Sequence, residues 1–138
     1  MDFLPVVRQL AQAYQAFESY SAADMRERGL TLTQFDVIAT LGNQPPMSCK
    51  ALGEKTLVTK GTLTGVLERL QAKGLISREI NPEDGRSQLI SLTRSGQKLF
   101  EKNFPQHVAY LSKAFGRLSA TELKNIHVAL ETLRAALS

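Results

Sequence analysis

Only one cysteine, Cys49, stands among the 138 residues. No disulfide can close within the chain, and a reducing compartment is expected, with only a bridge to a second chain left open. Long apolar runs are missing too: none approaches the roughly 18 uncharged residues of a membrane span. The opening MDFLPVVRQL has neither the basic start nor the apolar centre of an export signal. A cytoplasmic protein with no membrane partner is therefore expected. Histidine is scarce, and His107 and His127 stand outside H-E-x-x-H or any other metal-ligand spacing. KGTLTG does not follow the G-x-x-x-x-G-K-[ST] order of a phosphate loop, INPEDG lacks the alternating ligands of an EF-hand, and no G-x-S-x-G elbow occurs. Neither catalysis nor a metal or other cofactor is expected.

What is present suits one compact unit. The hydrophobic fraction of 43% is ordinary for a globular protein. A net charge of +4 and a pI near 9.4 bias the chain towards an anionic partner without saying which. No repeat, low-complexity tract or linker divides it.

Apolar residues at Phe3, Val7, Leu10, Tyr14 and Phe17 step four and three, the spacing of one helical stripe, and Gly29 offers its stop. Near the other end Ser119 to Glu122 reads as a capping box before Leu123, Ile126, Leu130, Leu133 and Leu137. Each stripe could pack inside a monomer, but two of them far apart in sequence favour a helical dimer interface. Between them Thr33, followed by Asp36, is read as the start of a helix carrying Phe35, Val37, Ile38 and Leu41, broken by GNQPP. Ser48 caps the short helix SCKALGEK, and Thr59 caps KGTLTGVLERLQAK, whose apolar face is Leu63, Val66, Leu67 and Leu70 and whose stop is Gly74. LISREI and SQLISL read as two strands joined by a turn. Thr93 begins a long helix with Pro105 in its middle, where a kink is expected.

A capped short helix, a tight turn, a second capped helix and a hairpin is the order of a winged helix-turn-helix, in which the second helix enters the DNA major groove. The face of that helix opposite its leucines carries Lys60, Gly61, Thr62, Thr64, Gly65 and Arg69, short or cationic groups that suit close approach to base edges and phosphates. The alternative is that Thr and Gly merely populate a solvated face. Ser48 to Arg94 holds eight basic and five acidic residues, net +3, most of the surplus of the chain. The hairpin tip, Asn81 to Arg86, holds an arginine that a plain turn does not need. Arg86 is placed in the minor groove, with Asp84 holding its guanidinium and Pro82 and Gly85 shaping the turn. The alternative there is a surface Asp–Arg pair in a structural hairpin, worth about 0 to 1 kcal/mol.

LTLTQFDVIATL, LERLQAKGLI and above all DGRSQLISLT, which fits a D-x-R-x5-L-T wing signature from Asp84 to Thr93, resemble the MarR family, the multiple-antibiotic-resistance regulators. The resemblance runs over nearly the whole chain. It implies a mainly α fold with a small β-hairpin wing, in which residues 31–93 form the winged helix-turn-helix lobe and 1–30 and 94–138 the dimerisation helices. It further implies a homodimeric transcription factor, usually a repressor, that binds double-stranded DNA and is released by a phenolic or other small-molecule effector or by oxidation of a cysteine. Carried to matching positions, the resemblance gives Arg86 the minor-groove contact, Asp84 its orientation, and Thr59 to Thr64 the start of the recognition helix. Gly85 stands where a second basic residue is common in the family and Asn81 where Asp is common, so wing affinity is differently tuned. The first helix lacks the reactive cysteine of peroxide-sensing members.

Cys49, beside Lys50 at a helix start, is read as a small buried hydrophobe rather than a redox sensor. Phe17, Tyr14 and Phe35 are equally core or pocket candidates, and no effector-binding residues are assigned. The competing function is a winged-helix protein-interaction module without sequence-specific DNA binding, which would tolerate loss of Lys60, Thr62 and Arg86.

Overall fold

A computed structural model describes residues 2–138. Its elements are α1 (Leu4–Glu27), α2 (Leu32–Leu41), β1 (Met47–Ser48), α3 (Cys49–Lys55), α4 (Lys60–Ala72), β2 (Ile76–Asn81), β3 (Asp84–Leu92), α5 (Arg94–Phe115) and α6 (Ala120–Leu137). The fold is mainly α with a small antiparallel wing, as the sequence indicates. The chain divides into two compact units, residues up to Pro105 and Gln106–Ser138, and α5 runs through the division.

In the first unit the core forms around α2. Phe35, Val37, Ile38 and Leu41 are buried with Met25 of α1, Leu52 of α3, the four apolar residues of α4, and Ile76, Ile90 and Phe100. Leu63, Val66, Leu67 and Leu70 occupy one face of α4 at helical spacing, so burying them leaves the opposite face to solvent. Only the end of α1 joins this core. There Arg28 donates to both carboxylate oxygens of Asp24, at 2.9 and 3.2 Å, and to Asn103 Oδ1 at 3.1 Å, tying α1 to α5.

Local chemistry sets the element ends, and in three places it differs from the sequence reading. The cap of α2 is Thr31, not Thr33: the Thr31 hydroxyl accepts the Gln34 amide, and the Gln34 side chain accepts the Thr31 amide, a reciprocal box that Thr33 cannot form. A third strand exists. Met47 pairs with Ile90 and Ser48 with Leu89, giving the order β1-β3-β2, and two residues are too few to leave a periodic signal. The hairpin turn is built by Asn81, Pro82 and Glu83, with Gly85 already in β3 and not at positive φ. Asn81 Oδ1 accepts the Glu83 amide at 3.0 Å, and Asn followed by Pro suits a turn whose φ values stay negative.

Ser48 and Ser119 cap α3 and α6 through their hydroxyls, the second in a full capping box with Glu122. Gly29 and Gly74 take φ +74 after α1 and α4, the left-handed stop their positions called for. Thr93 joins the wing to α5: its hydroxyl donates to the Gly74 carbonyl at 2.6 Å and accepts the Gly96 amide at 3.1 Å.

Candidate nucleic-acid interface

On α4 the residues singled out from sequence share the face away from the core. Lys60, Gly61, Thr62, Thr64 and Arg69 are exposed and Gly65 is half-buried. Neither Gly61 nor Gly65 has a protein atom near the place a Cβ would occupy, so no internal contact requires glycine at either position. Thr59 is the N-cap in position but not in chemistry. Its hydroxyl donates to the Thr62 hydroxyl at 3.1 Å instead of accepting a helix amide. The first amides of α4 are therefore not taken up by a cap side chain, and a helix N-terminus with free amides attracts anions.

The wing supplies the second element. Asp84 does not hold the guanidinium of Arg86, as the sequence reading expected. Its Oδ1 accepts the Arg86 backbone amide at 3.0 Å, fixing the main chain from which the arginine projects. A carboxylate on a short side chain reaches the amide two residues ahead more readily than the end of a long arginine. Ser87 donates to the Asp84 carbonyl at 3.4 Å, and Asn81 Nδ2 to the Ser87 hydroxyl, also at 3.4 Å, so the tip is cross-braced by its own polar side chains. Arg86 is exposed, and among the described residues neither it nor Lys60 nor Arg69 forms an ion pair.

Between wing and α3 lies an open groove of about 480 Å³ lined by Ser48, Cys49, Lys50, Ile80, Arg86 and Gln88, among others. Cys49 is exposed there, contrary to the buried hydrophobe expected. It is the first residue of α3, and the inward position of that short helix goes to Leu52. Tyr14 and Phe17 likewise lie outside the core, which takes Phe35 alone of the three aromatics.

One functional candidate was not singled out in the sequence. Asp36 sits in α2 between two buried apolar residues, and its carboxylate accepts the Leu57 amide at 2.6 Å. Burial pushes its carboxyl above the ordinary range, with the Leu57 hydrogen bond pulling partly back. An acid inside an apolar helical run was the available signal.

Among the described residues no group of three or more His, Cys, Asp or Glu could hold a metal ion. No helix among the described residues is long and apolar enough to cross a membrane.

Two helices joined by a tight turn, the second with a polar outer face, and a three-stranded wing beside them define a winged helix-turn-helix. Residues 30–88 match the MarR family. The chain is 31% identical to the uncharacterised HTH-type transcriptional regulator YkoM of Bacillus subtilis over 90% of this chain and 80% of the relative. Bordetella bronchiseptica BpsR, whose DNA binding is regulated by 6-hydroxynicotinic acid, superposes with a TM-score of 0.86 at 28% identity, covering 97% of this chain and 96% of BpsR. A mutant of Escherichia coli MarR, in complex with operator DNA, does so with a TM-score of 0.85 at 25% identity, covering 96% and 95%. The protein belongs to the MarR family of transcriptional regulators.

Proposed function

We propose that this regulator is a sequence-specific, cytoplasmic repressor that binds a pseudo-palindromic operator as a homodimer and is released by a small molecule, a phenol or related aromatic acid. The observation that carries the reading is the outer face of α4 together with Arg86: cationic and hydroxyl groups, exposed and without ion-pair partners among the described residues, on the two elements that a winged helix presents to DNA. Thr59, Lys60, Gly61, Thr62 and Thr64 meet the major groove, where hydroxyls reach base edges and the glycine lets the helix come close. Arg69 contacts a phosphate. Arg86 enters the flanking minor groove from a main chain held by Asp84.

Dimerisation is supported by the terminal helices. α6 has no buried residue, and Leu123, Ile126 and Leu130 are all at least 40% exposed; on α1, Leu4, Val7 and Tyr14 are more than half exposed. Apolar stripes of this kind are covered in solution, and a second copy offers the same stripes in return. Two recognition helices related by a twofold axis then read half-sites one helical turn apart, about 10 bp. That a small aromatic acid regulates the DNA binding of BpsR supports an effector here: one that favours a different lobe spacing would lower operator affinity by about 1 to 3 kcal/mol of coupling.

The test is selection of bound duplexes from a random DNA pool, with Arg86→Ala carried through the same selection at the same salt. A palindrome with half-sites about one turn apart is the expected recovery. Sequence-indifferent binding or none, with Arg86→Ala behaving as the parent protein, would overturn the reading in favour of a protein-interaction module.

A further inference from the structure

One polar bridge ties α2 to the turn in front of the recognition helix. The Asp36 carboxylate accepts the Leu57 amide at 2.6 Å across 21 positions of sequence. Leu57 itself is 85% exposed, so its side chain does nothing to hold this turn in place. An amide so close to solvent would ordinarily be satisfied by water. Here a half-buried acid takes it, and keeping an acid among Phe35, Val37 and Ile38 is costly unless its hydrogen bond serves a purpose. Leu57 lies three positions before Lys60, where α4 begins. At the other end of α4 the Lys73 ammonium reaches Gln34 Oε1, also on α2, at 3.5 Å. α2 thus grips the recognition helix near both ends, and the stronger grip is at the end that carries Thr59 to Thr64.

Building on the reading that α4 enters the major groove, we infer that Asp36 is a positioning residue for operator recognition: its carboxylate fixes the turn from Thr56 to Thr59 and so the depth and angle at which α4 meets DNA. Hydrogen bonds to base edges fail with displacements of a few tenths of an ångström, whereas long basic side chains reaching phosphates adapt to them. Loss of Asp36 should therefore fall on specific binding and spare non-specific binding. A role in stability alone would lower both together.

The full-length protein would be titrated against its selected operator and against a scrambled duplex of equal length, comparing Asp36→Ala and Asp36→Asn with the parent. Asn keeps an acceptor oxygen where the carboxylate had one. Asp36→Ala is expected to bind the operator about tenfold more weakly, with scrambled-duplex affinity unchanged to about twofold, and Asp36→Asn to recover operator affinity to about twofold of the parent. Backbone amide exchange at Leu57 in the free protein should be faster in Asp36→Ala and restored in Asp36→Asn. The inference is overturned by an Asp36→Ala protein with parental operator affinity, by an Asp36→Asn protein as weak as Asp36→Ala, or by equal losses on both duplexes. Should Asp36→Ala not fold, Asp36→Ser, whose hydroxyl is too short to reach the Leu57 amide, takes its place. A parent protein that prefers no duplex over the scrambled one overturns the DNA reading and this inference with it; a difference confined to the variants judges this inference alone.

Discussion

Arg86 leaves the wing from a backbone amide that Asp84 already holds, and among the described residues its guanidinium has no carboxylate beside it. A charge in that state can be claimed by a DNA groove without first breaking an internal pair, so the desolvation it suffers there is not added to the loss of an ion pair. Arg86→Ala should weaken operator binding by about tenfold and reduce the slope of log affinity against log salt by about 1, measured by titration at several salt concentrations. Asp84→Ala should weaken binding less and leave that slope alone, because it frees the amide and keeps the charge. Asp36 gives the pH dependence at this scale. Its carboxyl is raised in the folded protein, so the native state holds a proton that the unfolded chain gives up. The ionised form is therefore a burden at neutral pH, and the burden lifts as pH falls through the raised value towards the ordinary 3.8. Asp36→Asn should melt above the parent at pH 7, with the gap narrowing as pH falls towards 3.8. A gap that widens in acid would contradict this sign.

Among the elements, the start of α5 is packed closely on the α4–β2 turn. A Cβ on Gly96 would collide with the Leu75 carbonyl oxygen and crowd Leu92, and a backbone carbonyl cannot swing aside as a side chain can. Gly96→Ala should cost about 1 to 3 kcal/mol by thermal or urea unfolding, since α5 would have to lift from the α4–β2 turn that Thr93 clasps. The elements themselves were largely legible. Helical stripes, the Ser48 and Ser119 caps and the Gly29 and Gly74 stops are local codes, and all appear in the fold. Thr31 and Thr33 could not be ranked from single positions, because the deciding partner is Gln34, three residues beyond Thr31. β1 escaped because its two residues owe their extended form to β3, more than forty positions away. In the wing turn Pro82 shapes the bend as the sequence indicates, but its companion is Asn81, whose Oδ1 accepts the Glu83 amide, and not Gly85, which lies in β3.

For the whole molecule, the exposed apolar stripes of α1 and α6 make the oligomeric state the governing expectation. Ile126→Asp combined with Leu130→Asp should convert a particle of twice 15.2 kDa to one of 15.2 kDa in sedimentation equilibrium. Operator affinity should fall by about a hundredfold or more, because each recognition helix would then bind its half-site unassisted. The face of α4 was legible as a candidate interface because its apolar and polar residues separate cleanly at helical spacing. Asp36 was not, because its partner is a backbone amide, which carries no mark in the amino-acid code. The stripes were legible as apolar and as candidates for a dimer seam, and the fold leaves most of their residues exposed on the single chain, as that reading needs.

Cys49 is the sole thiol, exposed in the groove where Arg86 also lies. A maleimide dye attached to the unaltered protein would therefore label one place only, a few side chains from the wing. Its emission would follow the approach of a duplex in real time, with no engineered cysteine and none to remove.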